Sequence, residues 1–482
     1  MSPVVTRSAA RPAPDEVLAA IADYALAPLA ASDLALDTAR YCLMDSLACA
    51  FQALEHPACT RLLGPLVPGA TLPGGARVPG TAHELDPVQA AFNIGALVRW
   101  LDFNDTWLAA EWGHPSDNLG AILGVADYLA RQARTAALPG PVMGDVLTAM
   151  IKAHEIQGVL ALENSFNQVG LDHVLLVRIA STAVAGALFG CDREQLISAL
   201  SHAFLDGGAL RAYRHAPNTS PRKSWAAGDA TARGVRLVLL ARTGEMACPS
   251  ALSAADWGFY DVLFSGRRFS LPRPFGCYVM ENILFKIAYP AEFHGQTAVE
   301  AALRLHSQVA ARLGSIERVV LETQAAGLRI IDKTGPLHNP ADRDHCLQYM
   351  VAVALLFGRL RAQDYEDAIA ADPRLDALRD RMEVREYPGF TAAYHDPDKR
   401  HIGNAVQVFF QDGSSTDRVA ITAPLGHRDR RGEGLPLLRE KFSASARRHL
   451  GEGRADRLRA ICEDAATLHS MPVDEFVALT IH

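Results

Sequence analysis

Apolar residues recur at helical spacing along most of this chain and switch to an alternating pattern only after a Pro/Gly-rich stretch, LPRPFGC, at Leu271–Cys277. That change of period limits the fold more than any other feature, because a 3.6-residue repeat and a 2-residue repeat bury different elements. Before the junction, Asp86-Pro87 predicts a capped helix start, followed by Ala91, Ile94, Val98 and Leu101 on one face. Leu43, Leu47, Phe51 and Leu54 predict a second face, and Leu196, Ile197, Leu200 and Phe204 a third. Asp117 and Asp145 are expected to cap two more helices, and Gly244 to stop the helix after Asp229. After the junction, Arg318–Thr323 and Met382–Tyr387 read as strands. Ala405–Thr422 reads as a hairpin, with Val406, Val408 and Phe410 on one face, a turn at Asp412-Gly413, and Val419 and Ile421 returning. The expected fold is mainly α: a large all-helical domain with a smaller α+β lid domain. The expected boundaries are a frayed arm over 1–14, a discontinuous helical domain over 15–272 and 426–482, and the lid over 273–425.

Composition excludes several classes. The chain has 482 residues, 49% hydrophobic and 21% charged, with a net charge of -7. This is the balance of a globular protein, and no basic surplus points to nucleic acid or an anionic membrane. Eight cysteines are scattered without a C-x-x-C pair, so a reducing, cytoplasmic setting is expected. The leader MSPVVTRSAARPAPDE lacks the apolar stretch of a secretory signal, and no run of about 20 apolar residues predicts a membrane span.

Familiar cofactor signatures are missing. The chain has no G-x-G-x-x-G, no phosphate-binding G-x-x-x-x-G-K-[ST] and no G-x-S-x-G elbow. His83-Glu84 and His154-Glu155 lack the second histidine of H-E-x-x-H, and no cysteine cluster supports an iron–sulfur centre. Any chemistry is therefore expected from side chains alone, with no metal and no cofactor.

Polar clusters with two readings each remain. In LDFNDTW, Asp102, Asn104, Asp105 and Thr106 follow an apolar helix, as turn formers or as a group facing a cleft. His114, before Pro115, is a surface loop histidine or an acid–base group. His173 starts an apolar helix, either bonded to a carbonyl or functional. Arg211, Arg214, His215, Arg222 and Lys223 form a cationic stretch without an acid, which suits a multiply charged anion or a solvated loop. Lys286 sits among apolar and aromatic residues, where it snorkels or has a lowered pKa. His294 follows it by eight residues. Tyr349 opens an apolar helix and reads equally well as core, and Cys346 beside it as an inert core thiol.

Long motifs then carry a resemblance. WLDFNDTWLAAEWGHPSDN, KAHEIQGVLALENSFNQVGLDHVLL, YRHAPNTSPRKSWAAGDAT, VMENILFKIAYPAEFHGQTAVEAA and IIDKTGPLHNPADRDHCLQYM are similar to the MmgE/PrpD family, over about residues 15 to 445. The resemblance implies a helical domain with an α+β lid, a homodimer, no metal, and removal of water from a branched tricarboxylate. Decarboxylation of cis-aconitate is the other activity it allows. Matched to a decarboxylase of the family, the D-x-x-D-T motif falls on Asp102 and Thr106, and the His-Pro-Ser motif on His114, with two further residues between Thr106 and that histidine. The loop histidine matches His173, and the lysine five residues before Gly228 matches Lys223. The F-K motif matches Lys286, and the Q-Y motif Tyr349. Glu292 stands where the relative has histidine after its proline, so His294 is the neighbouring candidate. The resemblance thus implies Asp102, His114, His173, Lys223 and Lys286 as catalytic residues. Thr106, Arg214, His215, His294 and Tyr349, with both lysines, are the substrate-binding candidates.

Overall fold

The computed structural model describes residues 9–205, 208–215, 217–396 and 398–481. The expectation of a frayed arm over 1–14 falls partly outside the described residues. Eleven helices and four strands carry the architecture relevant here. The first eight helices are α1 (Glu16–Leu26), α2 (Asp33–Ala53), α3 (Pro87–Arg99), α4 (Leu119–Thr135), α5 (Met143–Glu163), α6 (Val174–Leu188), α7 (Arg193–Leu205) and α8 (Ala226–Ala241). Then come α9 (Gln296–Val309), β1 (Ile316–Thr323), α10 (Leu347–Phe357), β2 (Met382–Glu386), β3 (Asn404–Phe410), β4 (Val419–Ile421) and α11 (Arg431–Leu450).

Two apolar cores organise them. The first draws on Val17 to Ile287 and, after a return of the chain, on Leu438 to Val477. The second draws on Ala291 to Ile421. The mainly helical fold with an α+β part agrees with the periodicities. Asp86 caps α3, its carboxylate accepting from the N–H groups of Val88 (2.9 Å) and Gln89 (3.1 Å), an interaction worth about 1 kcal/mol. α3 packs on α4 and α8 at very close range, because glycines stand at the crossings. A Cβ at Gly95 would come within 2.8 Å of the Gly228 Cα, and one at Gly120 within 2.5 Å of the Ala91 carbonyl oxygen. This tight crossing fixes where the C-terminal end of α3 points.

Two caps differ from expectation. Asp117 caps nothing: it lies in a 3-10 turn (Pro115–Asn118), fully buried, and accepts from Asn104 Nδ2 at 2.9 Å. Its sequence position was right for a cap, but the turn carries it inward. α5 begins two residues before Asp145, whose carboxylate reaches back to the Val142 N–H at 2.9 Å instead.

In the second core the sheet order is β2-β1-β3-β4. β1 runs parallel to β2, with Leu321 opposite Val384, and antiparallel to β3, with Leu321 opposite Val406. Val406, Val408 and Phe410 are buried, as their alternation requires. The β3–β4 hairpin turns at Gly413, whose φ of 83° is the left-handed region, and regular pairing resumes at Val419. Residues 271–277 lie against the first core: Glu155 accepts from the N–H groups of Gly276 (2.9 Å) and Val279 (2.8 Å). The chain passes between the cores at Ile287–Ala291 instead.

Candidate active site

The site grows from the end of α3. Asp102 follows the helix in the left-handed region (φ 50°), a conformation uncommon for a residue with a Cβ. That backbone turns both its carboxylate and its carbonyl toward one lysine. Lys286 Nζ donates to Asp102 Oδ1 at 2.7 Å and to the Asp102 carbonyl at 2.8 Å. Arg99, one turn back on α3, pairs with the same carboxylate oxygen. Burial raises the Asp102 pKa, but Arg99 and Lys286 outweigh it and hold the carboxyl well below its usual range.

Lys286 is only 1% exposed, and three segments hold its stretch of backbone. Leu284 and Thr106 exchange N–H···O bonds of 3.0 and 2.7 Å. The Phe285 N–H donates to the Gly426 carbonyl at 3.2 Å, an approach that any side chain at Gly426 would block. Lys441 Nζ donates to the Lys286 carbonyl at 2.9 Å. Burial is the largest effect on Lys286 and lowers its pKa, against the pull of Asp102.

His114 arrives through a tight hairpin, in which Trp107 pairs with Gly113 and Leu108 with Trp112. Its Nδ1 lies 2.6 Å from the Asp105 carbonyl, which can only accept. Nδ1 therefore carries a proton, and in the neutral ring the Nε2 lone pair is free. Nε2 lies 3.7 Å from Asp102 Oδ1. Thr106 Oγ1 stands 3.3 Å from Nδ1. Burial and the charge of Arg99 push the His114 pKa well below its ordinary value. His173 packs edge-on against it, ring centroids 5.6 Å apart, and neither ring nitrogen of His173 has a hydrogen-bond partner among the described residues. Burial also drives the His173 pKa well down, although Asp172 opposes this from 3.5 Å. Asp172 accepts from the Val174 N–H at the start of α6 (3.1 Å) and pairs with Arg214, so it ties the helix start to the basic stretch.

These groups line one cavity of about 320 Å³. Of the expected site residues, Asp102, Thr106, His114, His173, Arg214, His215 and Lys286 line it. Lys223, His294 and Tyr349 do not. Lys223 is buried beside the site, its ammonium donating to both carboxylate oxygens of Asp344 at 2.8 and 2.6 Å. His294 binds Glu292 through Nδ1 at 2.9 Å and faces the Tyr394 hydroxyl. Tyr349 lies in the second core, its hydroxyl donating to the Asp364 carbonyl at 2.7 Å. The core alternative for Tyr349 is the one its surroundings match.

Sequence reasoning missed Arg99, Trp112, Glu292, Arg329 and His345, which also line the cavity. The guanidinium groups of Arg211 and Arg329 stack on Trp112, at 5.1 and 5.6 Å from the ring centre. Arg329 comes from the second core's part of the chain, a long-range meeting that no local spacing signals. Arg99 had a local signal: it stands three residues before Asp102, one helical turn away.

The donor set speaks to metal chemistry. Asp102, Asp344 and His345 bring ligand atoms within 4.8 Å of one another. Lys286 and Lys223 already occupy the two carboxylates, so cations of the chain itself stand where a divalent ion would bind. The arrangement can deprotonate carbon with a neutral histidine, protonate a leaving group with a buried ammonium, and hold carboxylates with arginines.

The chain also matches known sequences. The model of the MmgE/PrpD N-terminal domain matches residues 19–272, and that of the MmgE/PrpD C-terminal domain residues 289–466. The 2-methylcitrate dehydratase of Cupriavidus necator is 60% identical over 475 residues, 98% of each chain. That of Escherichia coli (strain K12) is 58% identical over 474 residues, again 98% of each. The mitochondrial 2-methylcitrate dehydratase of Yarrowia lipolytica is 54% identical over 487 residues, covering 100% of this chain and 93% of its own. With both family domains matched along most of its length, the chain belongs to the MmgE/PrpD family.

Proposed function

We propose that this chain is a 2-methylcitrate dehydratase, removing water from 2-methylcitrate to give 2-methyl-cis-aconitate without metal or cofactor. The relatives' names give the substrate, and one observation carries the chemistry. Asp102 Oδ1 joins Lys286 Nζ, at 2.7 Å, to His114 Nε2, at 3.7 Å. A base and an acid thus share one carboxylate. His114 Nε2 takes the proton from carbon beside a carboxylate. The carbon–hydrogen electron pair becomes the new double bond, and the carbon–oxygen bond breaks. Lys286 gives its proton to the departing hydroxyl, making water. Two of its three N–H groups bind Asp102, which leaves the third for the substrate. Asp102 then returns the proton from His114 to Lys286.

Charge complementarity supports a tricarboxylate. Arg99, Arg211, Arg214 and Arg329 line the cavity, against the carboxylates of Asp102 and Glu292. Fixed cations in a closed site stabilise the negative charge that builds as the proton leaves. His173, whose ring nitrogens have no hydrogen-bond partner among the described residues, is placed to orient the hydroxyl. Lys223 serves through Asp344, joining the helical part to the stretch that ends in His345.

No helix among the described residues is long and apolar enough to cross a membrane. The family resemblance supports a homodimer, and the composition a cytoplasmic setting. The test is the ultraviolet absorbance of the conjugated alkene, with 2-methylcitrate and citrate offered separately. Alkene should form from 2-methylcitrate, faster than from citrate. No alkene from either would refute the proposal.

A further inference from the structure

Behind His114, away from the cavity, lies a second buried group that the reaction above does not use. Asp105, His154 and Cys42 come from the loop after α3, from α5 and from α2, and all three are fully or almost fully buried. The Asp105 carboxylate accepts from three donors and meets one histidine nitrogen. Its Oδ1 accepts from the Ser116 N–H at 3.0 Å and the Ser116 hydroxyl at 2.7 Å. Its Oδ2 lies 2.8 Å from His154 Nε2 and 3.4 Å from Cys42 Sγ. An ionised carboxylate, which only accepts, matches such surroundings.

The proton count at His154 is then determined. Its Nδ1 lies 2.8 Å from the Met150 carbonyl, which must accept, so Nδ1 carries a proton. Its Nε2 faces a carboxylate oxygen, so Nε2 needs one as well. A neutral ring cannot satisfy both contacts while Asp105 is ionised, the form that the converging Ser116 and Cys42 donors favour. The doubly protonated ring does, and it neutralises Asp105.

Asp105 is also the residue whose main-chain carbonyl holds His114 Nδ1, at 2.6 Å. The side-chain network anchors the peptide, and the peptide selects the tautomer of the base. We infer that His154 is a positioning residue: as an imidazolium paired with Asp105, it fixes the carbonyl that keeps the proton on His114 Nδ1 and leaves Nε2 open to the cavity. Cys42 is the third donor to the carboxylate. Burial, followed by the charge of Asp105, pushes its thiol pKa well up. The inference rests on the proposed reaction only in making His114 the base.

Nitrogen-15 spectra of histidine-labelled protein test the proton placement without substrate. In the intact chain, both ring nitrogens of His154 should carry protons, and His114 should be a single tautomer protonated at Nδ1. His154→Gln keeps a donor to Asp105 but removes the charge. It should let His114 populate both tautomers and lower kcat at least tenfold, with KM changed less than threefold. Ser116→Ala, a milder loosening of the same carboxylate, should lower kcat in the same direction by less. A neutral His154 in the intact chain overturns the inference, even if His154→Gln fails to fold. So does a folded His154→Gln variant with an unchanged His114 tautomer and kcat. If the spectra agree but no substrate turns over, the reaction assigned above fails and the proton placement stands.

Discussion

Asp102 meets Lys286 twice, through its carboxylate at 2.7 Å and through its own carbonyl at 2.8 Å. Asp102 makes this double contact from the left-handed region of backbone conformation, at a φ of 50°. A strained backbone thus holds a buried ammonium beside the histidine proposed as base, and the consequences are measurable.

The first concerns pH. As the proposed base, His114 must be neutral to accept a proton, and its pKa lies well below 6.5, chiefly through burial. Lys286 must be charged to give one, and its pKa lies below 10.5, again chiefly through burial. The profile of kcat/KM should be a bell whose acid limb lies below 6.5 and whose basic limb lies below 10.5. The Asp102 charge raises both pKa values, so Asp102→Asn should move both limbs to lower pH as well as reduce the maximum. Limbs that stay in place would remove Asp102 from between the two groups.

Lys286→Ala removes the proposed proton donor and leaves Asp102 with Arg99 as its strong partner. Losing a charged donor of this kind costs about 3 kcal/mol of transition-state stabilisation, or roughly a hundredfold in kcat. Circular dichroism should show the fold intact. A folded variant with near-normal turnover would exclude Lys286 as the acid.

Much of this arrangement was legible beforehand, and the exceptions have physical causes. Helical spacing located α3, and Asp86-Pro87 marked its start, because capping is a local interaction. The hairpin with Val406, Val408 and Phe410 followed from alternation and a glycine turn. Asp117 failed as a cap because burial depends on the whole chain. Arg329 and His345 were invisible as site residues because they reach the cavity from sequence positions far from Asp102. Tyr349 shows the converse: a family motif pointed to the site, while its hydroxyl is spent on Asp364 within the second core.

Lys223 and Asp344 form a buried pair with side-chain exposures of 4% and 13%. Removing one partner strands the other, which typically costs about 3 kcal/mol or more, whereas removing both costs less. Lys223→Ala should therefore destabilise the protein more than the Lys223→Ala/Asp344→Ala pair does in urea titrations. A double variant as unstable as the sum of the two singles would mean that the residues do not act as a pair.

Chelation provides a fourth test. Lys286 and Lys223 occupy the acids that would otherwise ligate an ion near the cavity. Dialysis against a strong chelator should leave turnover unchanged. Loss of activity with recovery on adding a divalent ion would contradict side-chain catalysis.

A proton spectrum of 2-methylcitrate, recorded before and after incubation with the purified protein, decides whether this cavity eliminates water. The substrate signals should give way to those of 2-methyl-cis-aconitate, with every carbon retained and no carbon dioxide released. An unchanged spectrum, or a product short of one carboxyl group, would contradict the dehydratase and return Asp102, His114 and Lys286 to an unassigned site.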